Sequence, residues 1–177
     1  MSRPGGGVEG VLFAFRLIGL AALFALAFAA SPAMAQGVVR STHGDWQVSC
    51  ETPAGASFEQ CAMIQNVTAE DQPNVALSVI ALRTADRQAR ILRVLAPLGV
   101  LLHYGLGLFL DGTDLGDVPF LRCLPNGCIA ESVMDDAFLE KLSAGETALF
   151  VVFKSPEEGI GIPVSLNGFR DAFAALP

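Results

Sequence analysis

From Asp45 to Ser165 the chain alternates brief apolar runs with clusters of turn residues, which is the pattern of short antiparallel strands. The runs predict strands at Asp45 to Cys50, Gln60 to Asn66, Val75 to Arg83, Arg90 to Leu95, Val100 to Tyr104, Leu106 to Leu110, Val118 to Cys123, Cys128 to Ser132, Thr147 to Lys154 and Gly161 to Ser165. Between them stand Asp71-Gln72-Pro73-Asn74, Pro97-Leu98-Gly99, Asp111-Gly112, Pro125-Asn126-Gly127 and Glu157-Glu158-Gly159. The Asp-Gly and Asn-Gly pairs tolerate positive φ and are the strongest hairpin signals. Gln36 to Thr42 reads as a polar lead-in. So many short strands predict a mainly β fold, an antiparallel β-sandwich.

Two segments change period from 2 to 3.6. In the first, Ser132-Val133-Met134-Asp135 resembles a capping box, Asp135 and Asp136 suit the positive end of a helix, Met134, Phe138, Leu139 and Leu142 share a face, and Gly145 ends it. The second, Asn167 to Leu176, has Asn167 as N-cap and a stripe of Phe169, Phe173 and Leu176. Both stripes are expected to be packing faces, so one or two short helices close the sandwich.

The first 35 residues stand apart. Leu17 to Ala30 is uncharged and apolar, Arg3 and Arg16 flank it, and Ala33-Met34-Ala35 ends it as an A-x-A cleavage site. This predicts a signal peptide over 1–35 and a mature domain from Gln36 to Pro177 with no transmembrane segment after cleavage. The competing reading is an uncleaved anchor, which would have to bury Arg16. Of 177 residues, 11 are basic and 18 acidic; loss of Arg3, Arg16 and Glu9 leaves 9 and 17, a net charge near −8. That balance argues against nucleic acid or an anionic membrane surface as partner.

Cys50, Cys61, Cys123 and Cys128 all lie in the mature part. An oxidising compartment allows them two disulfides in any of three connectivities. Local pairing, Cys50 with Cys61 and Cys123 with Cys128, is favoured because each pair encloses turn residues. Zinc-ligand spacing and Cys-x-x-Cys are both missing from the sequence, so no metal or cofactor is expected.

The order of Gly44-Asp45-Trp46…Cys50, then Cys61, Ala96-Pro97-Leu98-Gly99-Val100, Phe120-Leu121-Arg122-Cys123, Gly127-Cys128 and Ser165-Leu166-Asn167-Gly168-Phe169 resembles the invasion-associated locus B family of Gram-negative bacteria. The resemblance spans nearly the whole mature chain. It implies a small exported β-rich protein of the periplasm or outer surface, associated in pathogenic members with entry into host cells. It brings no catalytic residues. Each shared position also has a structural reading: Trp46 as a core anchor, the glycines at turns or helix starts, and Ser165 and Asn167 serving the free N–H groups of the last helix.

Candidate chemistry is sparse. His103, flanked by Leu102 and Tyr104, is the better of two histidines for a hydrolase, yet no Gly-x-Ser-x-Gly elbow accompanies it. Asp135/Asp136 and Glu157/Glu158 are adjacent carboxylates, for which cap and loop roles suffice. Asp111, Asp114 and Asp117 invite a calcium reading without the spacing or terminal Glu of an EF-hand loop. Arg83, Arg87, Arg90 and Arg93 form the basic cluster of an acidic chain, placed to receive an acidic partner or lipid headgroup, or to guard a sheet edge. The sequence therefore predicts a periplasmic or outer-envelope, non-enzymatic binding or accessory protein whose partner is an unknown protein or envelope component.

Overall fold

In the computed structural model, which describes residues 37–72 and 74–177, buried and exposed positions alternate along most strands. The predicted signal segment 1–35, its predicted cleavage position before Gln36, and Pro73 of the first predicted turn lie outside the described residues. The strands are β1 (Val38–His43), β2 (Trp46–Glu51), β3 (Gln60–Thr68), β4 (Ala76–Arg83), β5 (Arg90–Ala96), β6 (Leu106–Leu110), β7 (Thr113–Val118), β8 (Phe120–Leu124), β9 (Gly127–Val133), β10 (Thr147–Ser155) and β11 (Glu158–Ser165). Two helices, α1 (Asp136–Ala144) and α2 (Phe169–Ala174), and a 3-10 turn at Leu102–Tyr104 complete the described elements.

The strands form two antiparallel sheets, ordered β1-β2-β3-β4-β5-β9-β8 and β11-β10-β6-β7. β1 to β5 run as a meander, the chain crosses to the second sheet for β6 and β7, and Pro119 marks its return for β8 and β9. A proline has no N–H for a ladder, so a strand ends there. The sandwich core is built from the inward positions of both sheets, among them Trp46, Val48, Met63, Val79 and Val94 on one and Leu108, Phe150, Ile162 and Val164 on the other. Each buried side chain of this size contributes about 1.5–3 kcal/mol.

The disulfides join residues directly opposite each other. Cys50 faces Cys61 across β2 and β3, and Cys123 faces Cys128 across β8 and β9, with Cα separations of 4.0 and 3.9 Å. Each bond therefore locks the register of one hairpin.

The two ends of the domain are clasped together. The β1–β2 turn, Gly44-Asp45, lies against Ser165 to Phe169: Asp45 N donates to Asn167 O at 3.1 Å, and the Ser165 hydroxyl donates to the Asp45 carboxylate at 2.6 Å. Ser165 O accepts from both Trp46 Nε1 and Gln65 Nε2, each at 3.0 Å. Beneath these bonds the Trp46 ring meets Phe169 edge to face, with centroids 5.2 Å apart. Gly44 (φ +55°) and Gly168 (φ +84°) touch backbone to backbone: a Cβ on Gly168 would strike His43 O and come within 2.8 Å of Gly44 N. Glycine is required at both for lack of space as well as for its positive φ.

Several expectations from sequence are corrected. The lead-in contains an edge strand, β1, whose mostly exposed residues hid it. The strand predicted over Val100 to Tyr104 is instead loop and a 3-10 turn, with Leu101 N bonded across to Phe153 O. Thr113–Val118 is a strand, masked by Asp114 and Asp117. Ser132 stays in β9, and Asp135 alone caps α1 by accepting from Phe138 N at 2.7 Å. The second helix is capped by Gly168 with no side-chain bond, because Asn167 is engaged through its backbone in the clasp.

Candidate functional site

Sheet parity sorts the four predicted arginines. Arg83 and Arg90 face each other across β4 and β5 on the same side as inward residues Ala81 and Leu92, where both reach the helices. Arg93, an odd number of residues from Arg90, lies on the other face and pairs with Glu131. It does not join the cluster. Arg87 sits at the tip of the β4–β5 turn with φ +58°, a left-handed conformation that few residues other than glycine adopt.

That turn is well fastened. Asp86 accepts from the Thr84 hydroxyl at 2.5 Å and from Gln88 N at 3.1 Å, Ala89 N donates to the Thr84 hydroxyl at 3.0 Å, and Arg87 N donates to Thr84 O at 2.7 Å. The Thr84 hydroxyl, aided by Gln88 N, holds the Asp86 carboxyl below its ordinary value of 3.8.

The turn forms one wall of an open groove of about 650 Å³, and the other wall comes from α1 and α2. Arg83, Arg87 and Arg90 line it together with Arg170, Asp136 and Glu140. Arg170 was not singled out from sequence: it lies in α2, far along the chain from the other three, and only the docking of that helix brings it in. Arg90 is tied down, its Nη1 2.7 Å from Asp136 and its Nε donating to Met134 O. Arg170 is 3.8 Å from Glu140. Arg83 stacks its guanidinium 5.1 Å from the centre of the Phe173 ring. Neither Arg83 nor Arg87 has a carboxylate within 4 Å among the described residues. Past this pair the surface dips into a recess of about 250 Å³ bounded by Phe58, Glu59, Cys61, Leu176 and Pro177.

Other candidates are placed elsewhere. His103 is exposed, makes no side-chain hydrogen bond among the described residues, and rests on Tyr104 with ring centroids 4.4 Å apart. His43 bonds Ser41, and Ser165 is committed to Asp45. Asp111, Asp114 and Asp117 do not converge: Asp111 accepts from Glu146 N and Thr147 N, while Asp114 accepts from Gly116 N. The close cluster of ligand-type atoms among the described residues is Cys50, Glu59 and Cys61, and both sulfurs there are used in the disulfide. No helix among the described residues is long and apolar enough to cross a membrane.

The molecule is thus a disulfide-stapled, two-sheet β-sandwich closed by helices, with an arginine-lined groove between the β4–β5 turn and those helices. The model of the invasion associated locus B (IalB) protein family matches residues 46–177, and the chain belongs to that family. It is 29% identical over 164 residues to an invasion protein B homolog of Brucella abortus strain 2308, covering 89% of this chain and 93% of the relative. The same figures hold for the homolog of B. abortus biovar 1 strain 9-941. The crystal structure of invasion associated protein B from Bartonella henselae superposes with a TM-score of 0.61 at 25% identity, covering 75% of this chain and 91% of that one.

Proposed function

We propose that this protein is exported to the periplasm or outer envelope and works there without catalysis, as a binding or accessory protein that receives its partner in the basic groove. The observation that carries the reading is the pair of arginines that line the groove, Arg83 against the Phe173 ring and Arg87 at the tip of the β4–β5 turn, neither with a carboxylate within 4 Å among the described residues. Unpaired positive charge on a surface steers and orients a partner of opposite sign. The signal-like leader and the two disulfides support an oxidising destination. The invasion named for the relatives would be the setting of this binding, not a chemistry of the chain.

A photo-crosslinking amino acid placed at Gln88 or Ser143, both on the groove, tests this in cells that make the protein. The expected result is a discrete adduct with an envelope component from both positions, none from Val38 on the far edge strand, and a protein mass that starts at Gln36. Adducts from Val38 alone, or an uncleaved chain, would overturn it.

A further inference from the structure

The two disulfides share one cross-strand form but have opposite surroundings. Cys50 is 5% exposed within the core and Cys61 packs against it, on β2 and β3, which each have a strand on either side. Cys123 is exposed and lies on β8, the last strand of the seven-stranded sheet, while its partner Cys128 is 2% exposed. Thiol–disulfide exchange depends on access and on which sulfur is attacked, so an external thiolate meets the second bond more readily and meets it at Cys123. Charge acts in the same direction. Glu59, though paired with Arg40, keeps a carboxylate oxygen within 4.8 Å of both the Cys50 and Cys61 sulfurs, and no carboxylate of the described residues is this close to both sulfurs of the other bond.

Little besides that bond holds β8. Its ladder to β9 registers at four positions, Phe120 with Ala130, Arg122 with Ile129, Cys123 with Cys128 and Leu124 with Gly127, and is interrupted by an irregularity between Phe120 and Arg122. Among its five residues only Phe120 packs against the core, and the other four are exposed. A segment with few buried apolar contacts opens locally at low cost, so a covalent tie to the neighbouring strand matters more here than within the sheet.

We propose that Cys123–Cys128 is a site of thiol–disulfide exchange with an external dithiol, and that its opening releases β8 from the sheet while Cys50–Cys61 and the core keep the rest of the domain closed. One thiolate of the dithiol attacks Cys123 Sγ, the bond to Cys128 breaks, and Cys128 leaves as a thiolate that takes up a proton. The second thiolate of the dithiol then attacks the dithiol sulfur of the mixed disulfide and frees Cys123, which is protonated in turn. The dithiol gives up two electrons in closing its own disulfide, and the protein bond is reduced by the same two. None of the residues of β8 or β9 lines the arginine groove, so the exchange is independent of binding there.

The probe is dithiothreitol in limiting amount, added to the oxidised protein, with free thiols blocked at intervals and located by peptide mapping. Cys123–Cys128 is expected to open at least about tenfold faster than Cys50–Cys61, because access sets the rate. With glutathione in its place, the trapped mixed disulfide is expected on Cys123. Amide hydrogen exchange of the opened protein should show loss of protection over 120–129 alone, and the fluorescence of Trp46 should stay native. Cys123→Ser/Cys128→Ser should show the same amide pattern without any reductant, which separates release of β8 from effects of the reagent. Opening of Cys50–Cys61 first or at an equal rate, glutathione on Cys128, or β8 amides that keep their protection in the opened protein overturns the proposal. So does a change in Trp46 fluorescence that follows opening of the bond, since that means unfolding of the domain and not release of one strand.

Discussion

Replacing Gly168 by alanine tests the clasp between the β1–β2 turn and the segment before α2. Two costs separate cleanly. Holding an L-residue at φ +84° costs about 1–2 kcal/mol anywhere in the chain. Gly55→Ala, at φ +85° with nothing within 4 Å of the added Cβ, should lose that amount and no more. At Gly168 the methyl would overlap His43 O and approach Gly44 N, and backbone atoms cannot rotate away as a side chain can. The turn must therefore retreat, which gives up the Asp45 N to Asn167 O bond and the Ser165 to Asp45 bond, each about 1 kcal/mol net. The expected loss for Gly168→Ala is about 3–4 kcal/mol, or on the order of 10 °C in Tm for a domain of this size. Trp46 is the sole tryptophan and lies in the clasp, so its fluorescence during urea unfolding reports the event directly. If Gly168→Ala and Gly55→Ala differ by less than about 1 kcal/mol, close approach is not what demands the glycine and the argument fails.

Trp46→Phe keeps a ring against Phe169 but removes a donor to Ser165 O, which Gln65 still serves; a loss of about 2 kcal/mol in urea unfolding is expected, against about 3–5 for Trp46→Ala. Removing the Cys50–Cys61 bond, with a sequence separation of 11, should cost about 3 kcal/mol, and removing Cys123–Cys128, with a separation of 5, about 2, when paired alanine variants are compared at equilibrium. Because the Asp86 carboxyl is held below its ordinary value, its contribution to the β4–β5 turn is complete above about pH 4 and fades as pH falls through the lowered folded value. The Gln88 amide resonance should therefore titrate below 3.8 in the wild type and lose that step in Asp86→Ala; a midpoint above 3.8 would contradict the bonding described.

How far the molecule could be read from its sequence depended on whether a residue's environment lies near it in the chain. β2, β4 and β5 were legible because one face is buried and the other is not, which writes a period of two into the residues themselves. β1 and β7 are edge strands with little buried beneath them, so the same backbone carries no such pattern. The clasp was legible only in halves. Trp46 could be read as a core anchor and Gly168 as a helix start, yet the reason for both is a contact between segments about 120 residues apart, which neither segment reveals alone. The arginines show the opposite case, where a local rule held information that proximity in sequence obscured. Arg90 and Arg93 are neighbours along β5, but an odd spacing on a strand sends them to opposite faces, so Arg93 pairs with Glu131 while Arg90 turns toward α1. Arg170 carries no such local mark. It enters the groove because the burial of Phe169, Ala172 and Phe173 docks α2 beside α1, where its guanidinium comes within 3.8 Å of Glu140. The basic site is in this sense a product of core packing: the apolar stripe of the last helix decides which charges can act together.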